Sequence, residues 1–556
     1  MKRIFSIFNV AKDKGLLAFF AICLLLSFIG SAQAANEIYF TIPSNLISGS
    51  IDIYLAAGDS GATGTIVNQD ASFNQAFVVP VNGITIVTIP DSQRLTVAGS
   101  AQNRGFIITP DFPVAAYLLD VNTPVASNDI TVLFPIEGLS TRYRVMGYSG
   151  WSQSQLAIVA TADNTTVTIT PKVNFGSGQA AGIPFNVTLN RLQAVLYNSE
   201  DVTGSLIEST IPVAVFGGHN CTNVPAGVSA CDHLIEQMPG VEFWGTSFPL
   251  VPTARSTAPG DVLRVLADTD GTVVTITDSG GNTVYNLDSG NFFEIGSPFI
   301  NELSYLSSNN PVLVGQFMVG ASLTGGVGDP AFSLVPSSNL WLNSYIFNVP
   351  NGYVDNYVGI AIPASAESSL RVDNVQPSAL TAIPGTTLVG GNIHLIAGQH
   401  IIVAGSPFML TQHGFDNNWA SYFGIAGHSI SGGGHEVIGE CNEFLTITND
   451  TLPSAPVGIN YSYQLGVTGG ESYTWSIADK IPSTELLNDP DYNASILDDL
   501  SIDENSGVLS WNPLPRITEN PDPLNPIYYI DFTVQVNSGE VDCGTATYRY
   551  TDPDAV

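Results

Sequence analysis

The chain has 556 residues and a formal net charge of −33, with 44% apolar and only 12% charged residues. That balance excludes nucleic acid as a partner, because no basic face is available to neutralise phosphates, and it disfavours anionic membrane surfaces for the same reason. With 53 Gly and 34 Pro beside the apolar content, the composition also excludes a disordered chain or a helical bundle and predicts many short strands joined by tight turns.

The first element is a signal peptide over 1–34. Lys2, Arg3, Lys12 and Lys14 form a basic region, Leu16 to Ile29 an apolar run, and Ala32-Gln33-Ala34 a small-x-small cleavage site. The apolar run is short for a membrane span, and no later run approaches one. The mature chain is therefore expected to be secreted, extracellular or at the cell surface, with no membrane span.

A repeat follows over 35–430. Phe112-Pro113-Val114-Ala115, Ile211-Pro212-Val213-Ala214 and Asn310-Pro311-Val312-Leu313 recur at a fixed long spacing, with a fourth copy at Ser406-Pro407-Phe408-Met409. Aromatic opening strands at Tyr39, Tyr143, Phe248 and Tyr345 keep nearly the same period. Together they divide the region into units at about 37–140, 141–245, 246–342 and 343–430. Within a unit, Leu263–Ala267 and Thr272–Ile276 flank Asp270-Gly271 and read as a hairpin, as do the strands on either side of Asn164. The fold class expected is all-β: tandem β-sandwich-like repeats of roughly 100 residues. A β-propeller-like array is the alternative, each unit then being a double blade.

Gly432-Gly433-Gly434 marks a linker at 431–440, and the composition changes after it. Residues 441–556 carry 18 acidic against 3 basic side chains, a denser negative charge than the preceding array. Leu452 to Leu465, Gly469 to Ile477 and Leu500 to Trp511 resemble immunoglobulin-like, cadherin-like modules of bacterial surface proteins, which implies a C-terminal sandwich used as a spacer or adhesive unit.

Four cysteines remain after cleavage. In an exported chain their even number favours disulfides, with Cys221–Cys231 and Cys441–Cys543 the simplest of the pairings four cysteines allow. The first pair lies in an insert peculiar to the second unit, flanked by His219, Asn220, Asp232 and His233 and followed by Trp244. These five residues form a candidate recognition loop, or else turn and core partners of a disulfide.

Phe216-Gly217-Gly218-His219-Asn220-Cys221, Ala230-Cys231-Asp232-His233-Leu234-Ile235-Glu236-Gln237-Met238-Pro239 and Trp244-Gly245 resemble the N-terminal domain of the IgG Fc-binding protein family. The resemblance spans about 36–430 and implies a secreted, non-catalytic binding or mucus-type surface module.

Signals for other chemistry are few. Gly58-Asp59-Ser60-Gly61 has the form of a serine-nucleophile tetrapeptide, but the first histidine of the chain is His219, and that nucleophile's family places histidine before serine. No histidine spacing predicts a transition metal. Asp268 with Asp270, and Asp498, Asp499, Asp503 and Glu504, are calcium candidates because they cluster hard oxygen ligands. No other cofactor is expected. The function expected is a non-catalytic binding or adhesion protein for extracellular glycoprotein or glycan ligands. A self-associating spacer of a matrix or surface layer is the alternative, and a secreted hydrolase ranks third.

Overall fold

In the computed structural model, residues 37–427 are described apart from 59, 122–126, 151, 257 and 418, together with separate stretches between 446 and 550. The signal sequence and the linker at 431–440 lie outside the described residues. The fold is all-β. The longest helix among the described residues is the six-residue 3-10 turn Ala364–Ser369, and none is long and apolar enough to cross a membrane.

The second set of strands shows the plan. Its long strand, Leu206–Thr222, serves two sheet halves. The first half pairs with Ser140–Arg144 and Thr165–Thr170, and Phe185–Leu189 extends that side. The second half pairs with Ser154–Ala160, itself joined to Ala194–Ser199, and with the closing strand Asp232–Gln237. Ser304–Met318 and Gly398–Phe415 play the same part further along the chain. In the first set, Gly105–Pro110 and Val114–Val121 divide the part between two sheets.

One sequence expectation changes here. The tight turns at Asn164 and Gly271 exist, with φ of +57° and +67°, but the strands flanking them do not pair as hairpins. Ser154–Ala160 and Thr165–Thr170 both pair with the long strand, one on each half. A sharp turn sets chain direction; which neighbour supplies the ladder is decided by burial. Three of the four proline motifs lie inside long strands, and only the first, at Val114, opens one. Pro212 falls between Ser209, paired with Val167, and Val213, paired with Ala160. Proline has no N–H to offer a ladder, so it sits where the strand passes from one partner to the other.

The four closing strands, Asp129–Leu133, Asp232–Gln237, Ala331–Leu334 and Ser421–Ile425, lie side by side in a ring: first beside second, second beside third, third beside fourth, fourth beside first. Radial closure belongs to the propeller-like alternative, although three of the sets keep two sheet halves sharing one long strand and the first divides that strand in two. The core respects the ring. One apolar cluster joins Phe40, Phe106 and Leu118 to Ile346, Phe347 and Phe408 across the first–fourth boundary, and another joins Leu156 and Val215 to Phe317 and Phe332 across the second–third boundary. Beyond the ring, Thr474–Pro482, Ile530–Ser538 and Val541–Tyr550 form one three-stranded sheet, and Tyr461–Gln464, Leu500–Ile502 and Val508–Trp511 another.

Candidate functional site

The ring closes on one carboxylate. Asp129 starts the first closing strand, and its Oδ2 accepts from the backbone N–H groups of Ile235 and Phe332, both at 3.1 Å. Its Oδ1 accepts from Ile130 at 3.0 Å and Phe423 at 3.3 Å. A single side chain thus ties its own strand to the other three. Burial and the charge of Glu236 push this carboxyl well up from its ordinary value, and the N–H donors pull it back. Glu236, from the second closing strand, repeats the device by accepting from Thr131 Oγ1 at 2.8 Å and Leu334 N–H at 3.0 Å.

The stapled loop opens from the same place. Cys221 and Cys231 are bonded, with Cα atoms 5.2 Å apart and a sequence separation of 10. Beyond the disulfide the loop leans on the third set: Gly320 N–H donates to Val224 O at 2.7 Å and Ser322 N–H to Ser229 O at 2.6 Å. Ala226, Gly227 and Ser229 remain exposed at its apex. In the chain-entropy picture a bridge of this length contributes about 3 kcal/mol. Thermal unfolding with and without reductant should show a destabilisation of that order; an unchanged Tm would contradict it.

The five residues singled out around this loop are all buried. His219 Nδ1 accepts the N–H of Cys221 at 3.0 Å, and Asn220 accepts from Gln153 N–H at 2.9 Å. His233 lies 3.4 Å from Asp120, which is paired with Arg94. Burial lowers His219 to about 3, helped by the neighbouring His233, and lowers His233 to about 4. Both are therefore neutral imidazoles inside the join between the first and second sets. Trp244 stands apart, packed beside Phe243, Leu313 and Val335. The surface the loop offers is its apex, while these residues hold it from beneath.

Asp232 meets Asp329, which sequence reading passed over. Pro135, Pro239 and Pro336 follow three of the closing strands, and the residues seven positions before them are Asn128, Asp232 and Asp329. Counting back from these prolines was the signal available. Asn128 donates to the Tyr353 hydroxyl at 2.9 Å, and that hydroxyl feels the charges of both acids.

The calcium candidates find other roles. Asp268 accepts from Arg142 at 2.5 and 3.0 Å and from Arg144 at 2.5 Å, and two guanidiniums on one carboxylate repel a cation. Asp270 accepts the N–H of Ser289 at 2.9 Å. Asp503 closes a turn by accepting from Asn505 and Ser506. Asp498, Asp499, Glu504 and the Cys441–Cys543 pairing lie outside the described residues and side chains. Among the described residues no group of three or more His, Cys, Asp or Glu is placed to hold a metal.

A disulfide-stapled, all-β ring of repeated units is thus the class that the fold and its hub define. Residues 129–414 match the family described as IgGFc binding protein. The chain belongs to the IgGFc-binding protein family. A human relative, IgGFc-binding protein, is 27% identical over 347 residues, 61% of this chain. The chain spans about 6% of that relative's length. Among solved structures, a Ca2+-stabilised adhesin with which an Antarctic bacterium binds ice aligns over 72% of this chain and 99% of its own, at 12% identity and a TM-score of 0.11. Sidekick-1 immunoglobulin domains 1–5 align over 92% and 98%, at 11% identity and a TM-score of 0.12.

Proposed function

We propose that the chain is an extracellular binding or adhesion protein that recognises glycoprotein or glycan ligands through surface loops held on the ring. One observation carries this reading: the apex at Ala226, Gly227 and Ser229 is exposed, yet the loop is fixed at its base by a disulfide and along its flank by hydrogen bonds to the third set. A loop already held in one shape loses little conformational entropy on binding. Family membership and the signal-like first 34 residues support the same reading. The human relative's name specifies IgG Fc, so Fc fragments belong among the ligands tested.

The spacer reading has its own support. Asn74–Val79, Phe185–Leu189 and Gly281–Leu287 are outer strands of their sheets and are largely exposed; such edges can pair with another chain. The test is an array of glycans, glycoproteins and Fc fragments probed with the mature protein and with a Cys221→Ser/Cys231→Ser variant. Selective binding by the wild type and a reduced signal from the variant are expected. A wild type that binds nothing would sink the adhesion reading, and equal binding by both would remove the loop from it.

A further inference from the structure

Asp232 and Asp329 are two acids buried in one joint. Both are buried at 0% exposure, and they come from different sets of strands. Asp232 Oδ1 accepts the N–H of His233 at 2.6 Å. Among the described residues, Asp232 Oδ2 and both carboxyl oxygens of Asp329 meet no N–H or O–H donor. Asp232 begins the second closing strand and Asp329 leads into the third beside it, so what remains to each is the other acid. Two carboxyl groups can hydrogen-bond only if one keeps its proton, since two buried like charges in contact cannot both ionise.

We propose that this pair is a proton-sharing latch: Asp232 keeps a proton and donates it to the Asp329 carboxylate, closing the joint between the second and third sets directly behind the stapled loop. The surroundings assign the roles. Asp232 faces the carboxylate of Asp129 from the first set, which favours its neutral form. Asp329 faces the Arg255 guanidinium of the third set, which favours its charged form, against the opposing charge of Asp416 from the fourth. The Tyr353 hydroxyl stands near both acids. A metal ion could balance the same two charges, but the described residues provide no group of three or more ligand side chains to hold one. A proton needs only the two oxygens present.

The latch has a direction. Burial, and for Asp232 the neighbouring acids, holds both carboxyls well above their ordinary values, so folding takes up a proton. Its contribution is complete below the unfolded value of about 3.9 and is lost as pH rises through the folded one. The buried histidines act oppositely: His219, His233 and His413 are lowered to about 3, 4 and 3, so their contribution is complete above about pH 6.5 and is lost as pH falls. A single pH profile mixes the two effects, and a variant separates them.

The experiment is thermal unfolding of the mature protein between about pH 5 and about pH 9, comparing wild type with Asp329→Asn and Asp232→Asn, each in calcium and in EDTA. An asparagine amide supplies its hydrogen at every pH. Wild-type Tm should therefore fall toward alkaline pH by about 3 °C or more beyond the fall in either variant, with or without calcium. If one variant fails to fold, the other poses the same question. Parallel profiles for wild type and variants would overturn the latch. So would a wild-type Tm at alkaline pH that calcium restores and EDTA abolishes, because the balancing charge would then be a metal's.

Discussion

Asp129→Ala should be the most damaging single substitution in the ring. It strips the acceptor from the N–H groups of Ile235, Phe332 and Phe423 at once, one on each of the other closing strands. Asp129 is fully buried, so water cannot replace it without opening the hub. Each buried donor left without an acceptor costs about 1 to 3 kcal/mol, and three that share one site do not add fully, so the loss should be roughly 4 to 6 kcal/mol. That is a large share of the roughly 5 to 15 kcal/mol that holds a typical domain together. Asp129→Asn keeps the shape and one acceptor oxygen but turns an N–H2 toward the donors, and should lose about half as much. Denaturant unfolding of the mature protein measures both. A loss for the alanine variant under about 1 kcal/mol would mean that the carboxylate is incidental to closure.

Arg264→Ala is the second. Its side chain is 2% exposed and lies across the boundary between the second and third sets. Nη1 donates to Gly147 O and to Asp201, both at 2.9 Å, and Nε to Glu294 at 2.8 Å. The guanidinium also stacks 4.1 Å from the Tyr148 ring centre and 4.7 Å from that of Phe292. Removing one partner of a buried ionic network costs about 3 to 5 kcal/mol, because the groups left behind stay in poor solvent. Asp201 and Glu294 are partly exposed, at 16% and 31%, and can rehydrate, which places the expected loss near the lower end. Arg264→Lys keeps the charge without the flat face or the fork, so it should recover less than half of the loss. Full recovery by lysine would show that charge alone matters at this boundary.

The repeat, the strand content and the first disulfide were legible in the sequence because each leaves a local mark. Pro212 and Pro311 recur at one spacing, and Cys221 and Cys231 bracket a short insert. Ring closure left no such mark. Asp129 is one aspartate before an unremarkable Ile-Thr-Val, and its partners are backbone N–H groups up to 294 residues away, which no side-chain pattern encodes. The loop was found, and its flanking residues were read either as recognition residues or as turn and core partners of the disulfide; His219, Asp232 and His233 are buried. Their burial depends on neighbours from the first and third sets. Asp268 shows a related dependence: Asp-x-Asp-Gly reads as a turn or as a cation loop, and what holds its carboxylate shows only when Arg142 and Arg144 arrive from another set.

The ring also bears on how the molecule comes into being. An open stack of repeats can nucleate anywhere and grow by neighbours. Here the Tyr117 hydroxyl donates to Ala426 O, 309 residues further along, and the first closing strand has its last neighbour only when the fourth arrives. Loop-closure entropy must be overcome before those contacts return anything, which makes such topologies slow to form. A chain shortened by one set would not be a smaller version of this protein. It would be left with two open faces, and unpaired edges of that kind are what drive chains to join one another instead.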